Sequence, residues 1–177
     1  VKNVFRRVKV RDDLYGNFVV FNKYEISEGA RPDTVAEDVF GSPNLDWVVL
    51  TVAGILNVRN EWPLSNRDLY NYANNKYGQS LNSTRFFETT EVKDSSGRLI
   101  LPKGKVVDSG FTIPNPTNPS ATLNPVVGIS NFIYETRINE EKRNINILRK
   151  EYLNEFIDDM KSIICLLYTS PSPRDTR

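Results

Sequence analysis

Acidic side chains occur in two groups whose spacing could support catalysis. Glu37 and Asp38 are adjacent, and Glu155 is followed closely by Asp158 and Asp159. Two neighbouring carboxylates can divide the acid and base work of a hydrolysis, as they do in glycosidases. Both groups nevertheless lie beside apolar residues at helical spacing, a pattern typical of charges that face water. We therefore expect neither group to be catalytic.

The residues that other catalytic and metal-binding schemes need are absent. The sequence has no histidine and one cysteine, Cys165, which removes Ser-His-Asp and Cys-His nucleophiles and histidine-based metal sites. It has no GxGxxG or GxxxxGK[ST] phosphate-binding motif. Asp94, Ser95 and Ser96 lack the ligand spacing of an EF-hand. The sequence predicts a protein that is not an enzyme and binds no metal, cofactor or small-molecule substrate.

The overall charge gives no case for a nucleic-acid or membrane partner. The formal net charge is +1, and the mean hydropathy is −0.44. The basic residues near the start, between Arg6 and Arg11, are interleaved with apolar ones, which favours a strand with one wet face over a phosphate-binding patch. No run approaches the roughly 18 apolar residues of a membrane span.

The two tryptophans are candidates for recognition. Trp47 lies near the apolar stripe of a predicted helix, so core packing is favoured over a ligand platform. Trp62, in "RNEWPLSN", precedes another predicted helix and either packs on that helix as a staple, the simpler interpretation, or anchors a protein partner. Interface centres favour Trp, Tyr and Arg. Arg59, Trp62 and Tyr70, around the Trp-Pro turn, are therefore the predicted partner interface.

Two short helices in succession are predicted between residues 32 and 54. Pro32 suits the first turn of a helix, and Gly41 is placed to end it. Ser42, a predicted N-cap, and Pro43 start a second helix that ends at Gly54. The side chains predicted to be buried are Val35, Val39, Phe40, Leu45, Trp47 and Val49.

Period-two alternation predicts two hairpins. Residues 4–10 and 18–26 form one, joined by the turn-like "DDLYGN". Residues 132–138, "FIYETRI", and 144–148, "NINIL", form the other around the polar "NEEKR".

Further elements follow from capping and composition. A Ser-x-x-Asp pattern at Ser65 begins a helix that stops at Gly78. Residues 84–108 are predicted to be extended, and residues 113–125, rich in Pro and Asn, an irregular arm. A helix from about Lys150 closes the chain. Its apolar stripe is Leu153, Phe156, Ile157, Met160 and Ile164.

The predicted fold class is α+β, with a strand-helix-helix core in residues 1–80. Residues 81–129 hold the extended strands and the Pro/Asn-rich arm, and residues 130–164 a hairpin and the C-terminal helix. The last residues, 165–177, include "CLLYTSPSPRD", which resembles a translated sequencing adapter. We expect the natural sequence to end near Ile164 and to begin before Val1, where the chain starts inside a predicted strand.

The segment "YEISEGARPDTVAEDVFGSPNLDWVVL" has a strand entering a Gly turn, a helix ending in aromatic-Gly, and a second helix with a Trp. The residues are Tyr24-x-Ile26, Gly29, Val35-Ala36, Phe40-Gly41 and Trp47. The pattern resembles the LysM module and implies a LysM-like core, with peptidoglycan or chitin binding as one alternative. The turn "GARPDT" is one residue longer than usual, and no closing strand follows Gly54 at the expected distance.

Four stretches carry a wider resemblance. They are "RRVKV", the segment just quoted, "NEWPLSNRDLYNYANNKYG" and "YETRINEEKRNINILRKEYLNEFIDDMKS". Together they resemble the baseplate wedge protein family of contractile-tailed phages, gene product fifty-three of the type phage, which also has a LysM-like portion. "TVAGILNV" departs from the family where a more polar link is expected, and residues 92–128 are unmatched.

This resemblance implies a structural protein of the virion, assembled in the host cytoplasm. It would join neighbouring baseplate wedges and contact the central hub during tail assembly. The implied partners are other baseplate wedge and hub proteins. Two hypotheses thus remain, a baseplate assembly protein and a carbohydrate-binding LysM module.

Overall fold

The computed structural model describes residues 20–118 and 120–169, and it combines α-helices with short β-strands. The expected α+β class is confirmed. The described residues form two compact units: one runs up to Pro63 and resumes at Lys142, and the other is Leu64–Glu141. This division differs from the predicted segments 1–80, 81–129 and 130–164, because two distant parts of the chain build the first unit. The predicted strand at 4–10 lies outside the described residues.

The first unit begins with strand β1 (Phe21–Glu25) and helices α1 (Pro32–Phe40), α2 (Asp46–Ala53) and α3 (Val58–Glu61). The second contains α4 (Asn66–Tyr77), β2 (Thr84–Thr89), β3 (Val92–Lys93), β4 (Leu99–Leu101), β5 (Val106–Val107), β6 (Ile113–Pro114), β7 (Thr122–Leu123), β8 (Val126–Ser130) and most of α5 (Asn131–Arg143). The chain returns to the first unit with β9 (Asn144–Leu148) and α6 (Leu153–Thr169).

The sheet of the first unit pairs strands from distant parts of the sequence. β1 runs antiparallel to β9, with Phe21 opposite Leu148 and Glu25 opposite Asn144. The prediction that residues 144–148 form a strand is confirmed, but their predicted hairpin partner, 132–138, is wrong because those residues lie within α5. Ile145 and Ile147 are buried on one face of this pair, and Phe21 and Leu148 are buried opposite each other at its end. A shift of one residue would exchange the two faces of β9 and expose Ile145 and Ile147.

The two predicted helices between residues 32 and 54 are confirmed, but the predicted Ser42 cap is not. Pro32 opens α1, and Gly41 ends it with φ of 79°. Gly54 ends α2 with φ of 74°, a left-handed conformation that favours glycine. Ser42 precedes the 3₁₀ turn Pro43–Leu45 in an extended conformation, but its side chain makes no capping hydrogen bond. Pro43 therefore restarts the helix without the predicted cap.

The core of the first unit lies between the sheet and the two helices. Trp62 is part of this core and is 7% exposed. Three of the six side chains predicted to be buried are fully so: Val35, Phe40 and Val49. Val39, Leu45 and Trp47 are half-buried at its margin. The Trp47 ring stacks on the Phe156 ring of α6, with centroids 6.2 Å apart.

The C-terminal helix is confirmed and covers part of this core. A 3₁₀ turn at Lys150–Tyr152 leads into α6. Leu153 and Phe156 pack against the core cluster, and Met160 is buried. Helix α6 continues to Thr169, beyond Ile164, and residues 170–177 lie outside the described residues.

The second unit combines α4 with small antiparallel sheets. Ser65 caps α4, because its hydroxyl accepts a hydrogen bond from Asp68 N at 3.2 Å. The extended stretch 84–108 is confirmed, and β2 pairs with both β5 and β8. The predicted irregular arm, residues 113–125, instead contains the hairpin β6–β7, in which Ile113 lies opposite Leu123.

Helix α5 is the largest departure from the predicted structure. Its buried side chains include Glu135, Asn139 and Arg143, which are spaced by four residues along one face. An inner face made of polar groups gives no apolar helical periodicity, so the alternation in "FIYETRI" was mistaken for a strand.

Replacement of Trp62 by alanine should be more destabilising than replacement of Trp47. Loss of the Trp62 side chain leaves a cavity in the core and should cost about 3–5 kcal/mol of unfolding free energy. Trp47 is only half-buried, so its loss should cost less. Urea unfolding of both variants measures the two changes in unfolding free energy. A larger decrease in Trp47→Ala than in the Trp62 variant would contradict this assignment of the core.

Candidate functional site

The predicted interface residue Trp62 is used inside the first unit. Its indole Nε1 donates a hydrogen bond to Ala30 O at 2.8 Å. This bond fixes the turn before α1 to the residue that follows α3. In this structure the ring is therefore a positioning group and offers a partner little surface.

Arg59 lies on α3, in a loop held by charged side chains. Glu61 Oε2 accepts hydrogen bonds from Leu56 N at 2.7 Å and Asn57 N at 3.1 Å. Lys142 Nζ donates to Asn60 O at 2.7 Å. Arg59 itself is exposed.

Tyr70 belongs to the second unit. Its side chain is 51% exposed, and its ring meets the Phe132 ring edge-on with centroids 5.9 Å apart. The structure thus places Arg59 and Trp62 in one unit and Tyr70 in the other. The three do not form one patch within either unit.

A polar cluster that the sequence did not predict surrounds Glu135 of α5. The Glu135 carboxylate accepts hydrogen bonds from Tyr77 Oη at 2.6 Å and Lys76 Nζ at 2.9 Å. The Lys76 ammonium lies 5.4 Å from the Tyr72 ring centroid and 5.2 Å from that of Tyr77. Both donors come from the end of α4. The sequence contains Lys76 and Tyr77 next to each other and Glu135 far away. No local pattern shows that these residues meet, so each looks like an ordinary surface residue.

The electrostatics of this cluster favour the ionised carboxylate. Burial acts to raise the pKa of Glu135, but the hydrogen bonds from Tyr77 and Lys76 outweigh it, so the pKa lies below its ordinary value. The pKa of Lys76 is raised, chiefly by its hydrogen bond to Glu135. A carboxylate stabilised in this way is a poor general base, so the cluster suits a structural role.

Aromatic and charged side chains continue from this cluster. The Arg85 guanidinium lies 4.2 Å from the Tyr134 ring centroid, a cation–π geometry. The Tyr134 ring meets Phe86 edge-on, with centroids 6.1 Å apart.

Two further residues of α5, Arg137 and Asn139, bind neighbouring segments of the same unit. Arg137 Nη1 contacts both Glu88 oxygens, at 2.6 and 2.7 Å.

Asn139 holds the start of α4 through its amide. Its Oδ1 accepts from Leu64 N at 2.7 Å, and its Nδ2 donates to Leu64 O at 2.9 Å. Both backbone groups of Leu64 are thereby satisfied by one side chain. The amide pairs with both groups in the way that the backbone of a neighbouring β-strand would.

The carboxylates considered for catalysis lie at the surface. Glu37 and Asp38 are exposed on α1, and Glu155, Asp158 and Asp159 are exposed on α6. Within the described residues, no three acidic or cysteine side chains are grouped so that they could hold a metal ion.

Asp94, considered as a metal ligand, makes hydrogen bonds within its own turn. Its Oδ1 accepts from Ser96 N, Ser96 Oγ and Arg98 N at 2.9, 2.7 and 2.9 Å. The hydrogen bond from the Ser96 hydroxyl is the main reason that the Asp94 pKa is lowered. The carboxylate stabilises the β3–β4 turn.

No protein-family model matches the chain, and a comparison with curated proteins gives no match. In the part of the chain that the structure describes, no helix combines the length and apolar content needed to cross a bilayer.

The Glu135 cluster should make stability depend on acidity. A lowered folded-state pKa means that its stabilisation is complete above the ordinary value of 4.5 and is lost as the pH falls through the folded-state pKa. At neutral pH, Glu135→Gln should cost about 2 kcal/mol of unfolding free energy.

Urea unfolding of both proteins at neutral and acidic pH measures this effect. The difference between wild type and Glu135→Gln should shrink below pH 4.5, whereas the exposed Glu155→Gln should be neutral throughout. A difference that is constant with pH would contradict the role given to the carboxylate.

Proposed function

We propose that this protein is a structural component of a phage tail baseplate, one that joins neighbouring wedges and contacts the central hub during tail assembly. The observation that carries the proposal is the series Phe-Gly-x-Pro-x-Leu-x-Trp, Trp-Pro-Leu-Ser and Lys-Tyr-Gly, in this order along the chain. The location that follows is the virion, and the partners are other wedge and hub proteins.

The positions of these motifs in the fold support the proposal. Phe40-Gly41 ends α1, and Trp62-Pro63 leads from α3 to the cap of α4. Tyr77-Gly78 ends α4, where the Tyr77 hydroxyl binds Glu135. Each motif therefore sits at a helix end or in a core contact, where its residue types have a structural role.

The first unit also supports a LysM-like architecture. Its order is strand, helix, helix and antiparallel closing strand, formed by β1, α1, α2 and β9. In this proposal β9, which pairs with β1, takes the place of the closing strand expected soon after Gly54, and the second unit occupies the intervening sequence. We propose a LysM-like core that carries a long insertion.

Carbohydrate binding is the second candidate, because the proposed LysM-like core implies it and Trp47 is only half-buried. Two observations favour the structural role. Trp62 is committed to Ala30, and the exposed face of Trp47 is reduced by its stack on Phe156. Part of the aromatic surface that a sugar ring would need is thus covered by the protein itself.

A paired binding experiment tests the proposal. The purified chain should associate with wedge or hub proteins encoded by tail genes beside its own, and titration with GlcNAc oligomers or peptidoglycan fragments should give no measurable heat. Micromolar binding to a GlcNAc oligomer, without association with any tail protein, would reverse the order of the two candidates.

A further inference from the structure

A short loop of the first unit, residues 54–61, includes the single helical turn α3 and exposes apolar side chains. Leu56 is 61% exposed and Val58 is 39% exposed, while the neighbouring Ile55 packs against the core. An exposed leucine forgoes the favourable transfer of its apolar area out of water. Isolated apolar side chains are nevertheless common on protein surfaces, so exposure alone does not identify a site.

The backbone of this loop is held in place by charged side chains. The Glu61 carboxylate binds the N–H groups of Leu56 and Asn57. The Lys142 ammonium binds the carbonyl of Asn60. In each of these hydrogen bonds one partner is charged. Charge-assisted hydrogen bonds are stronger than hydrogen bonds between neutral groups.

Both ends of the loop are fixed as well. Ile55 N donates to Leu50 O at 2.9 Å at the end of α2, and the Trp62 indole binds Ala30 O. The loop is thus ordered before any partner arrives. A preorganised surface loses less conformational entropy on binding than a flexible one.

Arg59, in the same loop as Leu56 and Val58, adds an exposed positive charge. No carboxylate among the described residues pairs with it, whereas Arg137 and Arg143 are bound to Glu88 and Glu28. An exposed guanidinium can bind a carboxylate through two parallel hydrogen bonds. Its complement is therefore an acidic group.

We propose that residues 54–61 are a docking loop for a protein partner that has an apolar pocket with a carboxylate at its rim. Leu56 and Val58 would enter the pocket, and Arg59 would pair with the carboxylate. The inference rests on the proposed baseplate function and names the chemistry of the partner surface. Aliphatic side chains offer a sugar no hydrogen-bonding groups, and two of them bury too little area to hold a bilayer.

Substitutions in the loop test this docking. The full chain, Leu56→Ser and Arg59→Glu are titrated against purified wedge and hub proteins encoded by the neighbouring tail genes. Each substitution should weaken binding about tenfold or more. Val106→Ser, at a valine of the second unit that is 69% exposed, is the matched control and should bind as the wild type does. Thermal unfolding should be unchanged, because all three side chains are exposed.

Each outcome separates the loop from the proposed function. Rescue of Arg59→Glu by a partner in which one rim carboxylate is replaced by lysine would support the pairing directly. Equal binding by wild type and both loop variants would overturn the docking loop and leave the baseplate role intact. Absence of wild-type binding to every tail protein would overturn both.

Two further measurements exclude other occupants. If sedimentation shows self-association that Leu56→Ser abolishes, a second copy of the chain occupies the loop, and the proposed partner chemistry is wrong. Binding of the wild type, but not Leu56→Ser, to vesicles of phosphatidylserine and phosphatidylcholine would overturn it in favour of a lipid surface.

Discussion

The polar inner face of α5 is the constraint on which both units depend. In the second unit, Glu135 receives the donors at the end of α4, and Asn139 satisfies both backbone groups of Leu64 before α4 begins. In the first, Arg143 binds the Ile26 carbonyl and the Glu28 carboxylate, and its own carbonyl accepts from Ile26 N. Because buried charges and amides are costly when unpaired, these partners specify where each neighbouring segment must lie.

The same face determines what can follow α5. Arg143 is the last residue of the helix, and β9 begins at the next position, so the contact with Ile26 places β9 at the correct end of β1. The five residue pairs of that sheet then continue the register. Apolar packing of Val48, Val49 and Val52 from α2 fills the space above the strands. Polar contacts thus select the pairing, and burial of apolar area supplies most of the stability.

The parts of the fold that were predictable depend on local chemistry. Pro32, Gly41, Gly54 and the Ser65 cap mark helix ends by conformational preference, and the stripe of α6 follows from apolar periodicity. α5 was missed because its buried face is polar. The partners of β1 and of Glu135 were also missed, since a pairing between distant segments leaves no periodic trace in one sequence. For the same reason the loop at Leu56 became visible only when exposure was known.

The antiparallel pairing of β1 with β9 also constrains the order in which the chain can fold. β1 lacks its partner β9 until residue 148 has been synthesised. The whole second unit is synthesised before then. Contacts within that unit are closer in sequence, and such contacts form faster than distant ones. During synthesis, the apolar faces of α1 and α2 therefore remain without β9 for a long interval, and transiently exposed apolar surface favours aggregation. A chain truncated before β9 would therefore expose the apolar faces of α1 and α2 and would not form a smaller folded domain.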